Sequence, residues 1–184
     1  MGVAPTLWHT RTENLRVRLL ESLRAIFYTP YYAAIATGGF ERERLDIELY
    51  RTPTPEEAVL SLFDGRADVT WGGPMRMMQH LDRADGTSLV GFAEAVTRDP
   101  FYLMGARPNP DFRFCDLMSA RLATVTEVPT PWMCLQDDLR RAGLDPAAVT
   151  RTEGASMGEN ADALSRGAVD VVQVFQPYAE QLLR

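Results

Sequence analysis

Lysine is absent from this 184-residue chain, and all 19 of its basic side chains are arginine. That absence excludes a lysine Schiff base to pyridoxal phosphate and the phosphate-reading lysine of a P-loop. Histidine and cysteine are scarce, with two of each: His9, His80, Cys115 and Cys134. Residues so few and so far apart supply neither a metal-ligand cluster nor a disulfide framework, so the expectation is no metal and no cofactor. Ser156 has no histidine near it in sequence, and no catalytic residue is assigned. Long apolar runs are missing too, so no segment is expected to span a bilayer. A basic stripe is also lacking. The net charge is −6 and the sequence pI about 5.0, which argues against nucleic acid and against an anionic membrane surface as partner.

The opening stretch, residues 1–17, has no apolar run of the kind that drives secretion. The expectation is a cytoplasmic protein, or one whose export signal lies outside this chain. Forty-six per cent of the residues are hydrophobic, enough for one domain or two small lobes.

The pattern along the chain alternates strands with helices, which predicts an α/β fold with mainly parallel sheets flanked by helices. Strands are read at residues 15–20, 45–50, 67–71, 87–97, 101–106, 121–125, 148–152 and 169–175. Helices are read at 31–39, closed by Gly38 and Gly39; from Thr54 to Phe63; from Pro74 through 81; from Thr130 to near Gly143; at 158–167; and from Pro177 onward. Thr54-Pro55-Glu56-Glu57 combines a capping hydroxyl, a proline suited to the first helical position, and a glutamate placed to close a capping box. Thr130-Pro131 repeats the Thr-Pro start.

An internal echo accompanies this alternation. Leu62, Gly65, Asp68 and Val69 recur at identical spacing as Leu164, Gly167, Asp170 and Val171. Each copy ends a helix, turns on glycine and enters an apolar strand through Asp-Val. The echo points to two similar lobes, residues 1–97 and 98–184, with the crossover near Val96–Pro100. In open α/β sheets ligands collect at the carboxyl ends of strands, so two facing lobes would form a cleft for a small molecule.

The residues Pro30-Tyr31-Tyr32-Ala33, Gly38-Gly39-Phe40, Leu45-Asp46-Ile47, and Ala58 through Leu62 followed by Gly65 and Asp68-Val69 resemble one family. It is the substrate-binding proteins of ABC transporters for sulfonates, taurine, nitrate and thiamine-pyrimidine precursors, with the type 2 periplasmic-binding fold. The resemblance implies a solute-binding component of an import system, with a transporter permease as protein partner and no catalysis. It implies a small polar or anionic ligand, and Trp71 and Trp132 as walls would make that ligand planar in part. It also implies a chain that returns to its first lobe, and the expectation here is that this return segment is absent. Some cytoplasmic relatives make the thiamine pyrimidine using a lysine, a histidine and a cysteine-rich motif. This chain has neither the lysine nor the cysteine cluster. A ligand sensor is the other reading left open.

By position in the family, ligand contacts are expected from Tyr28, Thr29 and Tyr31 after the first strand, and from Trp71, Gly72, Gly73 and Met75 after the third. Arg98 and Asp99 come from the crossover. Glu127, Thr130 and Trp132 follow from the second lobe, as do Gln173 and Gln176. Gly72-Gly73-Pro74 is either a tight turn or a set of amides aimed at an anion. Trp71 and Trp132 are either aromatic walls for a flat ligand or core residues.

Overall fold

The computed structural model describes residues 13–83 and 89–184. Two separate sheets organise them, one of three strands in the order β2-β1-β3 and one of four in the order β4-β7-β5-β6. The first sheet comprises β1 (Leu15–Glu21), β2 (Leu45–Arg51) and β3 (Val69–Thr70). The second comprises β4 (Tyr102–Gly105), β5 (Arg121–Ala123), β6 (Thr150–Thr152) and β7 (Val171–Val174). All pairings are parallel except β4 on β7. The helices are α1 (Thr29–Ala36), α2 (Gly39–Arg42), α3 (Pro55–Phe63), α4 (Pro74–Arg83), α5 (Thr130–Arg141), α6 (Met157–Ser165) and α7 (Tyr178–Leu182).

The helix ends follow local chemistry. Thr54 caps α3 by accepting from the Glu57 amide, but the return bond that would complete a box is not formed. Gly38, at φ 68°, takes the left-handed conformation after α1 that a side chain resists. Gly39 then begins α2 rather than sharing in the stop. The reciprocal capping box belongs instead to α6, where Ser156 and Glu159 exchange bonds. Three residues flanked by glycine concealed it, because Gly154 to Gly158 reads as a plain loop. The repeated Thr-Pro start also differs from expectation. Pro129 occupies the cap position of α5, and Thr130 is already helical and caps nothing.

One strand read from the sequence does not form. Residues 89–101 run without regular structure, and Val90 and Phe92 are each 77% exposed; residues 87 and 88 lie outside the described part. Alternating apolar residues give a segment the capacity to pair, but a strand exists only where a neighbour completes its backbone hydrogen bonds. The reading at 67–71 shrinks to the two residues of β3 for a related reason. β3 pairs with β1 alone, through Leu19↔Val69 and Leu20↔Thr70. Its counterpart β7 lies between β4 and β5.

The sequence echo has a physical counterpart. Asp68 takes the Arg18 backbone amide at 2.8 Å and its guanidinium at 2.7 and 3.0 Å, while Arg18 also donates to the Gly65 carbonyl. Asp170 takes the Arg121 amide at 2.8 Å and its guanidinium at 2.7 and 2.9 Å, while Arg121 donates to the Gly167 carbonyl. Each clamp ties the glycine turn after a helix to the parallel strand beside it. Gly65 and Gly167 both adopt positive φ, at 66° and 69°.

One core cluster spans both sheets, with Leu19, Tyr28 and Trp71 from the first half and Ala123, Val172 and Phe175 from the second. A second, around Leu117, Leu122, Leu135 and Leu139, lies beneath the second sheet. Among the described residues no helix is long and apolar enough to cross a membrane.

The arginine partners hold Asp68 and Asp170 down to about 2, below their ordinary value. A depressed carboxylate stabilises the fold once it is ionised in the unfolded chain, above about pH 4, and loses that effect as pH falls toward 2. Acid titration of thermal stability should therefore fall steeply between pH 4 and 2, and less steeply in the Asp68→Asn, Asp170→Asn double variant. Each single variant should lower Tm at pH 7 by about 2–4 °C. Identical acid profiles for wild type and double variant would show that the clamps carry no such linkage.

Candidate ligand cleft between the two sheets

The carboxyl end of β1 builds one wall. Glu21, the last residue of that strand, is 1% exposed, and its carboxylate is fully engaged. It accepts two bonds from Arg24, at 3.0 and 2.8 Å, and one from the Tyr32 hydroxyl at 2.5 Å. The Arg24 guanidinium holds the Glu21 carboxyl below the usual carboxylate range. Burial, and then the carboxylate beside it, push Tyr32 up to about 12. Arg24 itself stays accessible, with its side chain 60% exposed.

Aromatic rings fill the space behind this wall. Trp71 is 4% exposed and stacks on Tyr31 with ring centres 4.6 Å apart and planes 11° from parallel. Tyr28 and Tyr32 pack against the same indole. The indole N–H donates to the Leu23 carbonyl, and the Trp71 carbonyl accepts from Ser22 at 2.5 Å. Tyr28 is buried, which pushes its phenol up to about 12.

The other wall comes from the second sheet. Phe175 follows β7 and meets Phe27 edge to face at 5.1 Å, so one ring from each half makes the junction. Glu127, in the loop after β5, accepts from the amides of Thr126 at 3.2 Å and Met157 at 2.9 Å. Where these walls meet lies a cleft of about 420 Å³. Arg24, Thr29 and Tyr32 line it from the first half, and Glu127, Gln176 and Tyr178 from the second.

Of the residues expected from sequence, the structure brings Thr29, Glu127 and Gln176 to this cleft. Tyr28, Tyr31 and Trp71 stand behind it in the core. Gly72, Gly73 and Met75 lie at the start of α4, where the two halves touch a second time. A Cβ on Gly73 would sit 2.7 Å from the Thr130 hydroxyl, so glycine permits that approach. Gln79 on α4 also reaches Met133 on α5. Gln173 is buried and donates to the Pro131 carbonyl at 2.8 Å, leaving its own Oε1 without a partner among the described residues. Arg98 and Asp99 are exposed, and Asp99 accepts from the Phe101 amide. Trp132 lines a separate recess of about 390 Å³ on the second half, beneath the Arg151 guanidinium at 4.5 Å.

Sequence reasoning missed Arg24, Tyr32 and Tyr178. The signal for the first was local: a strand ending in Glu21 with an arginine three residues on. Among the described residues no group of three or more His, Cys, Asp or Glu side chains is placed to share a metal ion. His9 lies outside the described residues. Cys115 and Cys134 are both free thiols, and burial raises that of Cys134.

Comparison with known proteins agrees with this fold. Residues 26–181 match the family described as NMT1/THI5 like, and the chain belongs to that family. It is 22% identical over 165 residues to YtlA of Bacillus subtilis (strain 168), a binding protein by name; the match covers 89% of this chain and 49% of YtlA. The periplasmic aliphatic sulphonate binding protein SsuA from Escherichia coli superposes with a TM-score of 0.68 at 17% identity, over 93% of this chain and 57% of that one. The alkanesulfonate-binding protein SsuA from Xanthomonas axonopodis pv. citri, bound to MOPS, gives 0.58 at 16% identity, over 93% and 58%. The fold is therefore that of periplasmic binding proteins, and the chain spans about half the length of these relatives.

The packing makes Trp71 a core residue. Trp71→Ala should cost about 3–5 kcal/mol of stability in urea unfolding, the range for truncating a buried aromatic. A loss below about 1 kcal/mol would show that the indole does not support the fold.

Proposed function

From this family membership and the cleft, we propose that the protein is a solute-binding component of an ABC-type import system, capturing a small polar molecule between its two halves. The observation that carries the reading is the cleft itself. It is lined by the segments after β1, β5 and β7, from both sheets, and so sits at the carboxyl ends of parallel strands. Its volume of about 420 Å³ is in the range of small-molecule sites. Thr29, Glu127 and Gln176 are proposed as ligand contacts, with Arg24 and Tyr178 added by the geometry. The division into lobes at residues 1–97 and 98–184 follows the two sheets and is proposed on the same ground. Binding by name in YtlA and in both SsuA proteins supports capture rather than catalysis. The name of the Escherichia coli SsuA also supports a periplasmic site of action, and a transporter permease is proposed as partner together with the import role.

The test is steric. Thr29 is exposed at the cleft edge, so Thr29→Trp should fill the cleft while keeping Tm close to wild type. Mass spectrometry should identify the solute released from purified wild-type protein, and calorimetry should show its affinity falling at least tenfold in Thr29→Trp. Trp132→Ala, in the separate recess, should leave affinity unchanged. The reverse result would move the site to that recess.

A further inference from the structure

We propose that the recess on the second half is a phosphate site, separate from the cleft and independent of what the cleft captures. Its volume is about 390 Å³. Trp132, Gln136 and Arg140 recur at every fourth position along α5, so they share one stripe of that helix and line the recess together. Arg151 lines it from β6. The charged side chains of the lining are Arg140, Arg151 and Asp145.

The two guanidinium groups are prepared differently. That of Arg151 is held in place: it lies over the Trp132 ring at 4.5 Å and donates to the Thr124 hydroxyl at 3.1 Å. Its ion pair with Glu153, at 2.6 Å, is a surface one, the glutamate side chain being 62% exposed. Exposed pairs of this kind contribute little, so an incoming anion displaces Glu153 at small cost. Arg140 is exposed, and its side chain makes no hydrogen bond or ion pair among the described residues. The Gln136 amide is equally unengaged among them. Asp145 accepts the Ala147 amide at 3.0 Å, which ties that carboxylate to its own turn.

With Glu153 counted, the charges are two of each sign, so net charge does not choose the ligand. The donors do. Each guanidinium carries five N–H groups. Those of Arg140 are all unused, and Arg151 commits only part of its set. A carboxylate has two oxygens, which match a single guanidinium fork. A phosphate has three or more acceptor oxygens and nearly two negative charges, enough to accept from two forks and from Gln136. Arg140 then gains the partner that the fold does not give it. Because Trp132 and Thr124 already fix Arg151, little ordering is required of that side chain on binding.

Calorimetry at constant ionic strength, set with chloride, tests this with inorganic phosphate, glycerol 3-phosphate and acetate. Wild type should bind at least one of the two phosphates with a Kd of about 1 mM or below. Acetate should bind at least about tenfold more weakly. Arg140→Gln removes a charge-assisted contact and should weaken the phosphate about 10- to 100-fold, with Tm at the wild-type value because Arg140 has no partner to lose. Gln136→Glu, which sets a carboxylate on the same stripe, should weaken it as much. Thr29→Trp, in the cleft, should leave phosphate binding unchanged, so this proposal and the cleft reading fail separately. The tighter of the two phosphates tells a free ion from an ester. The proposal is overturned by no binding of either phosphate at about 10 mM, by acetate bound as well as phosphate, by affinity kept in either recess variant, or by affinity lost in Thr29→Trp.

Discussion

The edge-to-face contact between Phe27 and Phe175 is the junction on which the site depends. Each ring follows the carboxyl end of a strand, β1 in one sheet and β7 in the other. Because both are packed into one shared core with Tyr28, Trp71 and Val172, the two strand ends are held at a fixed approach. The cleft is the space left beside that contact. Apolar burial supplies the attraction, and the ring geometry supplies the orientation. Polar groups then occupy the rim, where the backbone turns away from both strands. The junction at Gly73 and Thr130 gives the halves a second point of contact.

Charge is arranged with the same economy in both halves. Arg18 with Asp68, and Arg121 with Asp170, are one device used twice, each closing a glycine turn onto its neighbouring strand. Around the cleft the device differs. Glu21 is buried and satisfied by Arg24 and Tyr32, so it organises the wall and leaves little charge to offer. Glu127 is anchored, among the described residues, by the backbone amides of Thr126 and Met157. An acidic, lysine-free chain thus places at its cleft one arginine shared with a buried glutamate and one glutamate held by backbone amides.

Much of the fold was legible because its signals are local. The Gly-x-x-Asp-Val echo marked two matching helix-to-strand turns, and Thr54-Pro55 marked the start of α3. Alternation identified β1, β2, β4 and β7. The failures share a cause: residues 89–97 and 67–71 have strand-forming composition, but pairing is decided by neighbours that composition does not reveal. The site was legible only in part. Position after a strand pointed to Thr29, Glu127 and Gln176, which do line the cleft. The same rule pointed to Trp71, which turns inward because its indole can stack on Tyr31 and donate to Leu23. The crossover pointed to Arg98, whereas Arg24 is the arginine that lines the cleft. Pairing with a buried glutamate three residues away, not proximity to the crossover, places that guanidinium.

The most direct test of this account is a crystal structure of the protein purified with the solute it carries. The account predicts density in the cleft beside Phe27 and Phe175, touching Thr29, Glu127 and Gln176. A solute seated instead in the recess of Trp132 and Arg151, with the cleft holding water alone, would contradict it.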